Sequence, residues 1–234
     1  MNRKSRFLGL LFVLISAQTF AQTSGVDHEI LKLSKDKWQW MADKTWTQGN
    51  EPQAENTVDG APENILIVYL TRTNNTKAIA EIIHDKVGGT LVGLELQNPY
   101  PDNYRATVEQ VAKENETGFL PPLKTKFESI ENFDLIFVGA PTWGMRLPPP
   151  MKSFLRQYDL SGKTIVPFNT NGGYGVGSSF DTIREICANS TVLKGFSIKG
   201  GIERDGILFV MEGEKEDQAQ EEVDKWLREL NLLK

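Results

Sequence analysis

From residue 64 onward, apolar and polar positions alternate between two spacings. "NILIVYL" (64–70) is a near-continuous apolar run, as expected of a parallel strand buried on both faces. Helical spacing follows from about residue 75 to 86. The same succession then repeats. "GTLVGLEL" (89–96) reads as a second strand and "YRATVEQVAKEN" (104–115) as a second helix. "FDLIFVGA" (133–140) is a third strand, and the prolines at 148–150 suit the first turn of a helix through "MKSFLRQY". "KTIVPFNT" (163–170), the helix around "FDTIREICA", "LKGFSIKG" (193–200) and a closing helix over 215–233 complete the series. Five strand–helix units predict an α/β fold: a doubly wound five-stranded parallel sheet with helices on both faces. One further apolar run, within "GGIERDGILFVMEG" (200–213), fits an edge strand.

The region before residue 64 is patterned differently. Arg3, Lys4 and Arg6 precede an apolar run from Phe7 to Ile15, and small and polar residues lead to Ala21. This is the layout of a secretory signal peptide cleaved after Ala21, with a run too short to span a bilayer. Export to the periplasm or the exterior is therefore expected, with no membrane attachment after cleavage. Residues 22–63 read as an amphipathic helix, "DHEILKLSKDKWQWMADK", and a linker rich in Pro, Gly and Asn. The domain proper is expected to span 64–234.

Charge and composition narrow the function. The 234 residues carry 26 basic and 31 acidic side chains, a net charge of −5. Without Arg3, Lys4 and Arg6 the balance is 23 against 31, a net −8, which argues against a nucleic-acid or anionic-membrane partner. Cys187 is the single cysteine, so a cysteine-rich metal site is excluded, and its helical spacing from Ile183 predicts a buried thiol. His28 and His84 lack metal-ligand spacing, and no G-x-S-x-G elbow is present. No side chain is singled out as a catalytic acid, base or nucleophile.

In such a sheet, ligands bind at the carboxyl ends of the strands, near the switch in strand order. Three loops there are unusual. "TRTNNT" (71–76) joins the first strand to its helix. Free N–H groups and the helix dipole favour an anion there, and the hydroxyls of Thr71, Thr73 and Thr76 add donors. Taken alone, the loop reads first as an ordinary N-cap. Asn74 decides between the two: a left-handed backbone makes an anion-binding nest, whereas a capping side chain makes only a helix start. "APTWGMRLPPP" (140–150) places Trp143 after a buried strand, either packed over a helix end or covering a flat ligand. "NTNGGYGVGSS" (169–179) has four glycines that permit close approach, although Ser178 stands where a dinucleotide fingerprint needs glycine. Together, an anion cradle, an aromatic and a glycine-rich loop on one sheet edge suit a flat ring carrying one phosphate, and FMN fits.

From "VYLTRTNNT", "NPYPDNYRATVEQVAKEN", "FDLIFVGAPTWGMRLPPPMKSFL", "DLSGKTIVPFNTNGGYGVGSS" and "VDKWLREL", the chain resembles the flavodoxins over 64–233. The resemblance implies strand order 2-1-3-4-5 and an FMN cofactor. By position it implies that Thr71, Thr73, Asn75 and Thr76 hold the phosphate, with backbone help from Arg72 and Asn74. It implies that Pro141, Thr142, Trp143 and Gly144 flank the ring, that Asn169, Thr170, Asn171, Gly172 and Gly173 present backbone groups to its pyrimidine edge, and that Tyr174 shields the other face. Asn74 stands where the family usually has glycine. Met145 and Arg146 stand where electron-shuttling members carry acids, which predicts a less negative reduction potential. The expected roles are electron transfer with a redox partner protein or reduction of a small acceptor such as a quinone. A binding module that kept the fold and lost its flavin is the alternative. The segment "KWQWMADK" separately resembles the opening helix of SnoaL-like proteins.

Overall fold

The computed structural model describes residues 64–233. The expected signal peptide, the N-terminal helix with its SnoaL-like resemblance, and the linker lie outside them. Within the described residues the order is β1 (Ile65–Tyr69), α1 (Asn75–Val87), β2 (Thr90–Gly93), α2 (Tyr104–Thr117), β3 (Leu135–Pro141), α3 (Pro149–Gln157), β4 (Thr164–Asn171), α4 (Ser179–Ile186), β5 (Thr191–Val192), β6 (Phe196–Lys199) and α5 (Glu214–Glu229). The sheet order is β2-β1-β3-β4-β5, with β6 also paired to β4 and every named pair parallel. The order expected from the resemblance is the order found.

Alternation along β1 explains why its apolar run has no polar interruptions. Ile65 and Ile67 join one core with Ile79 and Ile83 of α1 and Val223, Trp226 and Leu227 of α5. Leu66, Val68 and Leu70 join a second core with Met151 and Phe154 of α3 and Phe180 and Ile183 of α4. Both faces of the sheet are thus covered. Leu66, Ile67 and Val68 are fully shielded, which contributes about 1.5–3 kcal/mol per side chain. Cys187 lies in the second core as expected, and burial pushes its thiol up to about 11.

Two edge features differ from the apolar pattern. The expected fifth strand (193–200) is found as β6, and a short β5 precedes it, separated by a break, the two pairing with opposite ends of β4. Gly195 lies in the break, and a Cβ there would sit 2.5 Å from the Phe180 ring, so the chain bends where only glycine fits. The run at 207–211 is not a strand. Residues 200–213 form an excursion with a 3-10 turn (Glu203–Asp205) and one isolated bridge, Ile202 to Ile207. Met211 is buried, while Ile207, Leu208 and Phe209 are exposed.

The chain leaves β1 for β2 on one side and crosses back to β3 on the other. The switch point therefore lies between the carboxyl ends of β1 and β3. The loops after β1, β3 and β4 meet there, joined by those after β2 and β6.

Candidate functional site

The loop after β1 answers the question posed by Asn74. Its backbone is left-handed (φ 62°, ψ −1°) and its side chain makes no capping hydrogen bond. Asn103, at the start of α2, is the contrast within the same molecule. It is extended (φ −68°, ψ 122°), and its Oδ1 accepts the Ala106 amide at 3.1 Å. The first bond back into α1 runs from the Ala78 amide to the Asn74 carbonyl at 2.9 Å. Helix geometry then leaves the amides of Asn75, Thr76 and Lys77 without intrahelical acceptors. No acid occupies the first turn of α1, whereas α5 fills its own with Glu214, Glu216 and Asp217. The positive end of the α1 dipole is thus left without a carboxylate, at the switch point. If the nest is the purpose of the left-handed turn, glycine serves there as well. Asn74→Gly is expected to leave thermal stability unchanged or raised by up to about 0.5 kcal/mol, and Asn74→Ala to lower it by about 1 kcal/mol, read by thermal unfolding.

The side chains of this loop divide into two groups. Thr71 and Thr73 are half-buried at the loop surface. Asn75 and Thr76 are buried and engaged elsewhere. The Thr76 hydroxyl pairs with that of Thr170 at 2.8 Å, tying α1 to the end of β4. Asn75 Nδ2 donates to Thr73 Oγ1 at 2.8 Å and to the Leu208 carbonyl at 2.6 Å, and its Oδ1 accepts the Val210 amide at 3.1 Å. What Asn75 and Thr76 present to the nest is therefore their backbone amides.

Arg72 commits its guanidinium to two neighbouring loops. Nε donates to both carboxylate oxygens of Glu203, at 2.7 and 3.0 Å. Nη1 and Nη2 donate to the carbonyls of Pro101 and Asp102, at 3.1 and 2.7 Å.

After β3, Trp143 and Arg146 exchange backbone hydrogen bonds of 3.2 and 3.1 Å around Gly144 and Met145. Both central residues have positive φ, 57° and 59°, as a two-residue turn of this kind requires. Trp143 is half-buried and meets Tyr100 edge-on, with ring centroids 5.5 Å apart. Tyr100, from the loop after β2, is held by a hydrogen bond to the buried Glu114. Burial and that carboxylate both push the phenol well above its ordinary range, so Tyr100 stays a neutral donor. Arg146 closes the turn and is exposed, and Lys152, near the start of α3, donates to Asn115 Oδ1 at 2.8 Å. Partial burial, Arg146 and, from the far end of α3, Arg156 hold the Lys152 ammonium below its ordinary range.

After β4, the glycine-rich loop is organised by asparagines. Asn169 is buried, and its Nδ2 donates to the Ala140 carbonyl and to Thr142 Oγ1, both at 2.9 Å. Thr142 Oγ1 in turn donates to the Gly175 carbonyl at 2.9 Å. Asn171 Oδ1 accepts the amides of Gly173 and Gly175, at 2.8 and 3.1 Å. The Thr170 and Asn171 carbonyls are taken by the Thr142 and Gly200 amides. The backbone of 169–173 is thus not a row of free groups: three of the expected contacts already serve the loop itself. Tyr174 is 61% exposed, beside Arg204 of the excursion after β6.

The sequence-predicted residues all fall on adjoining loops at one end of the sheet. Tyr100, Glu203 and the 208–210 backbone were not anticipated. The signal for Tyr100 was an aromatic between two prolines directly after a strand. A hollow of about 460 Å³ lined by Leu155, Tyr158, Leu160 and Cys187, among others, lies at the opposite end of the sheet, where no motif points.

These loops around the switch point define a doubly wound α/β domain with an anion-ready helix start beside an aromatic wall. The flavodoxin family model matches residues 64–212, and the chain belongs to that family. Among solved structures, a Bacteroides eggerthii protein designated a flavoprotein is 25% identical, covers 72% of this chain and 98% of its own, and superposes with a TM-score of 0.57. A protein of the same designation from Bacteroides uniformis is 22% identical, covers 63% and 96%, and has a TM-score of 0.55. A Lactobacillus acidophilus flavoprotein, solved in complex with FMN, is 20% identical, covers 70% and 97%, and has a TM-score of 0.53. No protein of curated function matches.

Proposed function

We propose that the protein binds FMN and acts as a redox protein. The observation that carries this reading is the left-handed, uncapped Asn74, which leaves the α1 amides open to an anion where an N-cap would have closed them. The donor set fits the group. Amides of residues 72–76 and the hydroxyls of Thr71 and Thr73 suit a phosphate, and Trp143 with Pro141, Thr142 and Gly144 suits a flat ring. The Lactobacillus acidophilus relative, solved with FMN, supports the same choice. Bound FMN would supply the electron storage. The chain's own residues would bind the phosphate, wall the ring and set the charge around it.

That charge favours a potential less negative than acid-lined flavodoxins reach, because Arg146 stands near the ring wall. Arg146→Glu is expected to shift the reduction potential in the negative direction, as read by potentiometric titration of the reconstituted protein.

Two roles remain within this reading: carrying electrons to a redox partner protein, or reducing a small acceptor such as a quinone. The exposed Arg146, in the turn beside Trp143, favours a small anionic reactant and thus the enzyme. Stopped-flow mixing of the FMN-loaded protein with NADH and NADPH tests this. Rapid flavin reduction supports the enzyme, and slow reduction by both supports the carrier. The start of the sequence supports export with cleavage after Ala21, which would place flavin acquisition outside the cytosol.

A further inference from the structure

We infer that Arg72 is a positioning residue that pre-sets the phosphate loop, and that it acts through Glu203 and the carbonyls of Pro101 and Asp102. This rests on the FMN reading above.

One guanidinium joins three loops, those after β1, β2 and β6, through four hydrogen bonds of 2.7–3.1 Å. Its side chain is 20% exposed and that of Glu203 is 21% exposed, so the pair is well shielded from solvent. The planar fork reaches a carboxylate and two carbonyls at once, which a lysine ammonium does not do with the same geometry. The loops on the far side have anchors of their own. The Pro101 carbonyl also accepts the Thr107 hydroxyl at 2.7 Å, and Tyr100 is held by Glu114. The excursion after β6 is held by Asn75 through Leu208 and Val210. The phosphate loop has less: besides Arg72, the side-chain link within 71–74 is that from Asn75 to Thr73. Loss of Arg72 therefore falls chiefly on residues 71–74, where Asn74 must hold a backbone region that an L-residue enters at a cost. A loop ordered in advance does not lose that freedom when ligand arrives, so affinity follows from the clasp. The effect is confined to the phosphate end, which gives it a signature separable from general loss of structure.

The test compares FMN with riboflavin, which lacks the phosphate, by fluorescence titration of the full chain. For Arg72→Met, the FMN dissociation constant is expected to rise about tenfold and that of riboflavin by less than about threefold. Glu203→Gln should give a smaller loss of the same kind. The double variant should match Arg72→Met alone, since Glu203 acts through Arg72. Arg72→Lys should not restore the difference between the two flavins. Should Arg72→Met fail to fold, Glu203→Gln and Arg72→Lys carry the comparison. Equal losses for both flavins, additive effects in the double variant, or an unchanged FMN constant would each overturn the proposal while the FMN reading stands. Wild-type protein that binds neither flavin would overturn that reading and this proposal with it.

Discussion

Asn75→Leu is expected to lower the unfolding free energy by about 3 kcal/mol and to abolish tight FMN binding. Leucine shares the branching of asparagine at Cγ and is the larger side chain, so the loss does not come from a cavity. It comes from three polar groups that the amide now satisfies. Nδ2 donates to Thr73 Oγ1 and to the Leu208 carbonyl, and Oδ1 accepts the Val210 amide. Asn75 is only 3% exposed, so water cannot easily take its place. Each lost bond weighs about 1 kcal/mol, and groups left buried without a partner weigh more. The excursion after β6 would also come loose from α1, beside the nest. A urea titration should show a lower midpoint with an unchanged slope. Asn75→Asp is a second test of the donor. It keeps an acceptor for Val210 but sets a buried carboxylate oxygen against the Leu208 carbonyl, so it should also lower the midpoint. An unchanged midpoint for Asn75→Leu would show that this amide does not hold the excursion.

Gly177→Ala is expected to lower stability by about 2–3 kcal/mol and to displace Trp143 from the ring wall. A Cβ at Gly177 would lie 2.2 Å from the Met145 carbonyl oxygen and 2.5 Å from its carbon. These are backbone atoms of a tight turn, and they have no rotamer in which to escape. The same oxygen accepts the Ser178 amide at 3.0 Å, so the bond that clamps the two loops breaks as well. Met145 already holds φ 59°, so the turn has little freedom to absorb the shift. Gly175→Ala separates crowding from backbone strain. Its φ is 81°, but nothing lies within 4 Å of the added carbon, so about 1 kcal/mol of strain is expected and Trp143 should stay in place. Thermal unfolding and flavin fluorescence quenching read the two effects. Identical behaviour of the two variants would contradict the clamp.

Much of the fold was legible because burial on both faces writes uninterrupted apolar runs into β1, β3 and β4. The edges were less legible. The second strand was expected over 89–96 but spans Thr90–Gly93. The Leu94 amide still bonds to Tyr69, after which the chain turns away and Leu96 bridges Leu123. The run at 207–211 has strand-like composition, but composition does not reveal whether a partner strand is available.

The site divides in the same way. Asn74 was legible as a question, because a missing glycine before a helix is a local feature. The answer required φ. The side-chain roles of Arg72 and Asn75 were not legible at all. Their partners Glu203 and Leu208 lie 131 and 133 residues further along the chain, so no spacing rule joins them. Hydroxyl and amide residues in "TRTNNT" looked like a uniform set of phosphate ligands. In the folded chain Thr76 and Asn75 hold the scaffold with their side chains, and their backbone amides are left at the helix start.

The most direct measurement of the central claim is a titration of FMN into the purified, flavin-free protein, followed by flavin fluorescence. An anion nest beside Trp143 predicts saturable quenching at one FMN per chain, because a stacked indole quenches the flavin. Fluorescence that stays unquenched and unsaturated as protein is raised to about 1 mM, where binding would be no stronger than about −4 kcal/mol, would contradict it.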